Sequence, residues 1–305
     1  MASPDFVLPP ALAANQQRDH GEAGLRWIEG LAGLAREVSR RWDLTLDPPF
    51  INGLADYTVP VRRQDGSRGV LKLCYLDAEF ISQAAALRAF AGRAAVRLLD
   101  ADLATGALLL ERLEPGESLS TLGNDTAAMH EAAEIMRQLW QAPLEGFDFL
   151  DLDPWIVDAC APDRLPETKR SLPWIARALA RAREVIGAST VRRLLHGDLH
   201  QDNILSSQRG WLAIDPKGIA GDPAWELAPL LFNDLGSAGD GWRALVRRRI
   251  DQLCEELSLD REPAYALSAA RALQCRYWSL RDNSEPGDAI IERALQVGEE
   301  LAKGP

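Results

Sequence analysis

The sequence predicts an α+β fold in two lobes, a small antiparallel sheet followed by a mostly helical part. Three observations carry that expectation. Residues 48 to 112 hold strand-like segments with alternating apolar side chains, turn signals between them and one inserted helix. Beyond residue 118 the pattern is mostly helical. Between the two stands Glu114-Pro115-Gly116-Glu117, a break that ends the last strand and marks a hinge.

Residues 1 to 20 are rich in Pro and Ala and read as an arm. Leu25, Ile28, Leu31, Leu34, Val38 and Trp42 then mark one face of an amphipathic helix. Tyr57, Val59 and Val61 alternate, Asp65-Gly66 is a hairpin turn, and residues 69 to 75 form the return strand. Asp77 is placed to cap a helix that carries Phe80, Ala84, Leu87 and Phe90. Two short strands, 96 to 100 and 107 to 112, meet through Thr105-Gly106. The expected division is an N-terminal lobe over 1–112, a hinge over 113–117 and a helical C-terminal lobe over 118–305. Helices are expected near 124–141, 170–187, 223–235, 240–257, 263–281 and 285–302, with the Pro-rich stretch 143–169 as a linker. Only two short strands are expected within residues 193 to 222.

The 305 residues can bury a large core, and 47% apolar with 26% charged residues is ordinary globular composition. A net charge of -11 argues against a nucleic-acid partner and suits a small cationic one. Cys74, Cys160, Cys254 and Cys275 form no Cys-x-x-Cys pair, so free thiols in a reducing compartment are expected. The N-terminus has no basic region followed by an apolar core, and no run is long enough to span a membrane. A cytoplasmic protein is expected, with no membrane and no obligate protein partner.

The chemistry concentrates between residues 193 and 222. Leu194 and Leu195 lead into a polar run from His196 to Asn203, and Trp211 to Ile214 lead to Asp215. Carboxylates at the ends of short apolar runs are costly to hold together unless a cation or substrate shares them. Asp198 and Asn203 are five residues apart, and Asp215 lies twelve beyond Asn203, which is the spacing of a kinase catalytic segment. In that chemistry an Asp accepts the proton of the attacked hydroxyl. An Asn oxygen and a second carboxylate hold magnesium, which takes hard oxygen ligands. The catalytic loop would span 196–203 and the metal-binding segment 215–218. Upstream, Lys72 lies on the return strand, where a kinase keeps the lysine that holds the α- and β-phosphates. The backbone from Glu111 to Leu113, entering the hinge, would meet an adenine edge.

His196-Gly-Asp-Leu-His-Gln-Asp-Asn-Ile-Leu resembles the catalytic loop of the aminoglycoside phosphotransferase superfamily, whose fold is protein-kinase-like. Trp211-Leu-Ala-Ile-Asp-Pro-Lys-Gly and Gly221-Asp-Pro-Ala-Trp-Glu resemble more narrowly the branch of streptomycin 6-phosphotransferases and hydroxyurea resistance kinases. The resemblance implies ATP and Mg²⁺ as cofactors and a hydroxyl acceptor on a small cationic molecule such as streptomycin. Hydroxyurea or another small metabolite is the alternative. It implies Asp198 as catalytic base, Asn203 and Asp215 as magnesium ligands, and Lys72 on the phosphates. His196 and His200 would be loop scaffold. Lys217 would reach the γ-phosphate or pair with an acid.

The chain also departs from the kinase pattern. No Gly-x-Gly-x-x-Gly precedes Tyr57, and Gly197 stands where protein kinases carry Arg. Either Glu79 or Gln83 could orient Lys72, or neither. Gly221-Asp222 follows Asp215 so closely that no long activation segment fits, which disfavours a peptide substrate. The acceptor would meet carboxylates among Asp222, Glu226, Asp234 and Asp282, with Trp225, Trp242 or Trp278 stacking on guanidinium or sugar faces. Asp222 is also placed to cap the helix starting at Pro223. A rival is a metal-dependent phosphohydrolase built on His196, Asp198 and His200, three ligand types at alternate positions.

Overall fold

The computed structural model describes residues 6–50, 55–153, 173–232, 235–281 and 289–305, without the side chains of 236, 237 and 274–292. The N-terminal part opens with α1 (Leu12–Arg41), which turns sharply at Gly21 (φ 60°, ψ −138°). Helix therefore begins at Leu12 inside the expected arm. Leu12 and Gln16 are buried, and the Gln16 amide donates to the Ala55 carbonyl at 2.6 Å. This first helical piece is held by contacts with residues some forty positions on, which local sequence pattern does not reveal.

A five-stranded sheet follows, in the order β1 (Thr45–Leu46), β2 (Tyr57–Arg62), β3 (Arg68–Leu73), β5 (Ala107–Glu111) and β4 (Leu98–Asp102), antiparallel throughout. Side chains alternate faces along a strand. Val59, Val61, Leu71, Leu73 and Leu109 pack against α1 on one side of the sheet. Leu108 and Leu110 pack with Phe80, Ala84 and Leu87 of α2 (Ala78–Phe90) on the other. Asp77 caps α2, accepting the Phe80 N–H at 2.9 Å. Lys72 falls between Leu71 and Leu73, so the same alternation turns it away from the α1 core and toward the catalytic segment.

The chain then runs through β6 (Pro115–Ser118), within the stretch expected as a hinge, which pairs with a strand of the catalytic segment. Helix α3 (Asp125–Leu139), short strand β7 (Leu150–Asp151) and α4 (Pro173–Ala188) come next. The sequence predicts two short strands between 193 and 222, and the chain forms four: β8 (Arg193–Leu195), β9 (Ile204–Ser207), β10 (Gly210–Ala213) and β11 (Ile219–Gly221). Runs of three or four residues between loops are too short for periodicity to report. They make two small sheets, β10-β9-β6 and β7-β11-β8. A short α5 (Ala228–Phe232), then α6 (Trp242–Leu257), α7 (Arg261–Arg281) and α8 (Ala289–Leu301) complete the helical part. Its core is one large cluster built on Met129, Met136, Trp225, Leu230, Ile250 and Leu273. Cys74 and Cys254 are free and buried. No described helix is long and apolar enough to cross a membrane.

Candidate active site

The catalytic segment is assembled on His196, which is fully buried at the end of β8. Its Nε2–H donates to the Ile214 carbonyl at 2.7 Å, and its Nδ1 accepts the Asp198 N–H at 3.3 Å. Its carbonyl accepts the N–H groups of Lys217 (2.7 Å) and Gly218 (3.3 Å). Burial pulls the imidazole down to about 4, so it is neutral near pH 7. His196 is thus a staple between two loops, with both ring nitrogens engaged. That removes it as a metal ligand and overturns the phosphohydrolase alternative. Among the described residues no cluster of three or more His, Cys, Asp or Glu side chains could hold a metal ion.

Two glycines make this crossing possible. Gly197 sits at φ 86°, and a Cβ there would meet Ile219 Cδ1 at 2.7 Å. Gly218 sits at φ 71°, and a Cβ there would lie 2.5 Å from the Ser82 carbonyl oxygen. An Arg at 197 would not fit this approach, which accounts for the departure from the protein-kinase pattern. The Ser82 hydroxyl donates to the Gly218 carbonyl and accepts the Leu150 N–H at 2.9 Å, so α2 is docked directly onto the segment.

The Asp198 side chain is about one-third exposed (32%). Arg271 of α7, almost fully buried, donates to Asp198 Oδ1 at 3.1 Å and to the Gly197 carbonyl at 3.3 Å. His200 Nε2 lies 4.0 Å from the other oxygen, Oδ2. Burial would raise the Asp198 carboxyl, but Arg271 and then Lys217 outweigh it and hold the group below its usual range. Asn203 Nδ2 donates to the Asp198 carbonyl at 2.9 Å, which fixes the amide so that Oδ1 is its acceptor atom. The Asn203 carbonyl takes the Ile214 N–H at 2.9 Å, setting Asn203 beside the chain that leads to Asp215.

Asp215 has a left-handed backbone (φ 61°), which Asp tolerates better than most residues. Its Oδ1 accepts from Lys72 and, at 3.0 Å, from Gln83 Nε2. Burial opposes its charge, yet Lys72 and Lys217 drive its carboxyl far below the ordinary value. Burial likewise opposes the Lys72 charge, and Asp215 and Asp56 hold that ammonium well above its ordinary value. Asn203 Oδ1 and the Asp215 carboxylate are hard oxygen donors, a donor chemistry that fits magnesium. Lys217 pairs with Glu79 of α2, and this pair with Asp215 and Asp198 raises it against the effect of burial. Of the two roles its sequence position allowed, the acid pair is therefore present, and it does not exclude the other.

Several expected site residues have other work. Glu226 is fully buried and accepts the N–H groups of His196 (2.6 Å) and Gly197 (2.9 Å), bracing the catalytic loop from behind. Burial pushes its carboxyl up to about 7. It cannot meet an acceptor in the cleft. Asp222 spends one oxygen capping the turn at Ala224 N–H (2.9 Å) and the other on the Ser189 hydroxyl (2.6 Å). Trp225 and Trp242 are core residues, Trp225 lying under the Arg271 guanidinium at 5.5 Å. The Glu111 N–H is taken by the Arg97 carbonyl at 3.0 Å and its side chain by Arg209, so neither is left for an adenine edge. Leu113 is buried at the end of that run. Asp234, Asp282 and the Trp278 side chain lie outside the described residues.

Two residues were not anticipated. Arg271 lies 73 positions from Asp198, inside a helix whose sequence reads as packing. Asp56 pairs with Lys72 at 2.9 Å, while neither Glu79 nor Gln83 takes the role weighed for it. The available sequence signal was the β2–β3 register. Thr58 faces Lys72, and Asp56 is two residues before it, in the bend that enters β2.

The chain was compared with known proteins. The family description aminoglycoside/hydroxyurea antibiotic resistance kinase matches residues 41–283. A streptomycin 6-kinase of Streptomyces griseus is 37% identical, over 99% of this chain and 100% of its own length. A hydroxyurea phosphotransferase of Kitasatospora aureofaciens is 38% identical, over 96% of this chain and 85% of its own. Among solved structures, a thermostable aminoglycoside phosphotransferase mutant with ADP and hygromycin B superposes with TM-score 0.63. It covers 88% of this chain and 97% of its own, at 17% identity. A choline/ethanolamine kinase family protein from Mesorhizobium loti superposes with TM-score 0.64 over 91% of this chain and 95% of its own, also at 17% identity. These likenesses identify the architecture as the two-lobed, protein-kinase-like α+β fold.

Proposed function

Since the chain belongs to the aminoglycoside/hydroxyurea antibiotic resistance kinase family and is a small-molecule phosphotransferase, we propose that it transfers the γ-phosphate of ATP to a hydroxyl of a small cationic acceptor. Streptomycin, phosphorylated on its streptidine ring at the 6-hydroxyl, is the acceptor we favour. The observation that supports this reading is the contact between two separate parts of the chain: Lys72 pairs with Asp215, and Asn203 donates to the Asp198 carbonyl in the same loop segment.

In this reading Asp198 receives the hydroxyl proton. Arg271 occupies Oδ1, so Oδ2 is the oxygen directed to the acceptor. A carboxylate held below its usual range is a weak base, which suits phosphoryl transfer. The transition state there is loose, and the base mainly orients the oxygen and takes its proton late. Lys72 would hold the α- and β-phosphates, and the Glu111 carbonyl with the Leu113 backbone would meet the adenine. Asn203 Oδ1 and Asp215 would hold magnesium, which when bound neutralises phosphate charge. Lys217 stands beside Asp215 and adds positive charge near the same phosphates. Asp234, Trp278 and Asp282 stay our candidates for the acceptor side, on charge and aromatic character.

The test is a coupled ADP-release screen over streptomycin, other aminoglycosides, hydroxyurea and small amino alcohols, with the product mapped by phosphorus NMR. Acceptor-dependent ADP release with streptomycin and a new phosphomonoester on its streptidine ring supports the proposal. Turnover with hydroxyurea alone moves the acceptor to the alternative. No acceptor-dependent release with any of these compounds rejects the reading.

A further inference from the structure

Among the described residues Lys72 has two carboxylate partners, and neither comes from α2. Asp215 is one. Asp56, on the approach to β2, is the other, with its Oδ2 2.9 Å from the Lys72 ammonium and its side chain only 19% exposed. Helix α2 carries one acid in its first turn, Glu79, and that acid is committed to Lys217. One turn further along, Gln83 offers an amide in place of a carboxylate. Its Nε2 donates to Asp215 Oδ1 (3.0 Å) and the Pro216 carbonyl (3.2 Å), while its Oε1 lies 3.7 Å from the Cys74 thiol.

We propose that Asp56 is the positioning residue for Lys72. The inference rests on the phosphotransferase reading above. If Asp215 is shared with magnesium, Asp56 is the carboxylate that stays on the ammonium. An ammonium this deeply buried needs such a partner beside it to stay aimed at the phosphates. The register supplies the geometry. Thr58 faces Lys72 across the β2–β3 pair, and Asp56 lies in the bend two residues earlier, from where its carboxylate reaches Lys72. The orienting group therefore sits at the end of a sheet strand and not on a helix. The aim of Lys72 then does not depend on the position of α2, consistent with a chain that has no long activation segment to move that helix.

The experiment is a double-mutant cycle of Asp56→Asn and Lys72→Ala. It reads kcat and KM for ATP, with binding of the non-hydrolysed analogue AMP-PNP measured by calorimetry. Asp56→Asn keeps the shape of the side chain and removes its charge. Losing one charge-assisted contact lowers kcat/KM for ATP by about tenfold to hundredfold and weakens AMP-PNP binding. Asp56→Glu, which returns the carboxylate, recovers most of that loss. In the Lys72→Ala background Asp56→Asn adds no further loss, because its effect passes through the ammonium. Three outcomes overturn the inference: an Asp56→Asn enzyme within twofold of wild type, tighter AMP-PNP binding in that variant, or losses that multiply across the cycle. Tighter binding would mean that Asp56 only occupies the phosphate position. If Lys72→Ala itself leaves ATP turnover unchanged, the underlying phosphotransferase assignment of Lys72 fails as well, and the two failures are thereby told apart.

Discussion

Arg271 donates to Oδ1 of Asp198 at 3.1 Å from a position with only 7% of its side chain exposed. A guanidinium so placed keeps the carboxylate ionised and leaves one oxygen for the acceptor. Trp225 lies under the same guanidinium, and Glu226 braces the loop just beyond it. Helix α7 thus reaches Asp198 through one side chain.

Arg271→Met should therefore lower kcat while leaving KM for ATP within about twofold, since the nucleotide is not what Arg271 holds. A charge-assisted hydrogen bond of this kind corresponds to about tenfold to hundredfold in rate. Arg271→Lys, which returns a donor and a charge, should fall less. Equal losses in kcat and ATP affinity would assign Arg271 to general folding instead.

The neutral His196 makes stability depend on pH. Its folded value is about 4 against the ordinary 6.5, so between these values the folded protein binds fewer protons than the unfolded chain. Its contribution is fully present above about pH 6.5 and is lost as pH falls through about 4, an effect on the order of 3 kcal/mol. Urea unfolding of wild type and His196→Gln, at about pH 7 and about pH 5, checks it. The variant should be less stable at the higher pH but lose less on acidification. Parallel pH dependences would contradict the assignment.

Much of the candidate site could be picked out in the sequence because its residues are local. Asp198, Asn203 and Lys217 lie within twenty residues and are joined by a turn, so spacing alone brings them together. Lys72 was legible from its strand. Glu226 and Asp222 were misread for the opposite reason. A carboxylate that binds backbone N–H groups in the interior looks, in sequence, like one that faces a ligand. Arg271 and Asp56 were missed because each acts across a contact made only when distant elements pack. The start of α1 escaped notice similarly, since a short Ala-rich piece is helical here through its docking on Ala55.

Glycine at 197 has a specific cost of replacement. Gly197→Ala meets both a left-handed backbone and a Cβ 2.7 Å from Ile219 Cδ1, whereas Gly66→Ala meets the same kind of backbone with nothing within 4 Å. Gly66→Ala should cost about 1 kcal/mol, and Gly197→Ala clearly more, about 2–4 kcal/mol. Only Gly197→Ala should also reduce kcat, because the loop must shift under Asp198. Denaturant midpoints and initial rates for the pair test this, and equal costs would contradict the crowding argument.

Asn203→Ala should separate metal use from folding. It removes the proposed magnesium oxygen together with one hydrogen bond to the Asp198 carbonyl. That bond accounts for about 1 kcal/mol, a Tm decrease on the order of 2–4 °C. Turnover should fall much further, and the magnesium concentration for half-maximal rate should rise. Unchanged magnesium dependence with the same loss of Tm would make Asn203 structural only.

The most direct measurement compares wild type with Asp198→Ala for streptomycin-dependent ADP release, with the phosphorylated product identified in the same reactions. If Asp198 is the proton acceptor, wild type forms a streptidine-ring phosphomonoester, and the variant loses about 10²- to 10⁴-fold in kcat while still binding AMP-PNP. Full transfer by Asp198→Ala, or no acceptor-dependent product from wild type, would contradict the account.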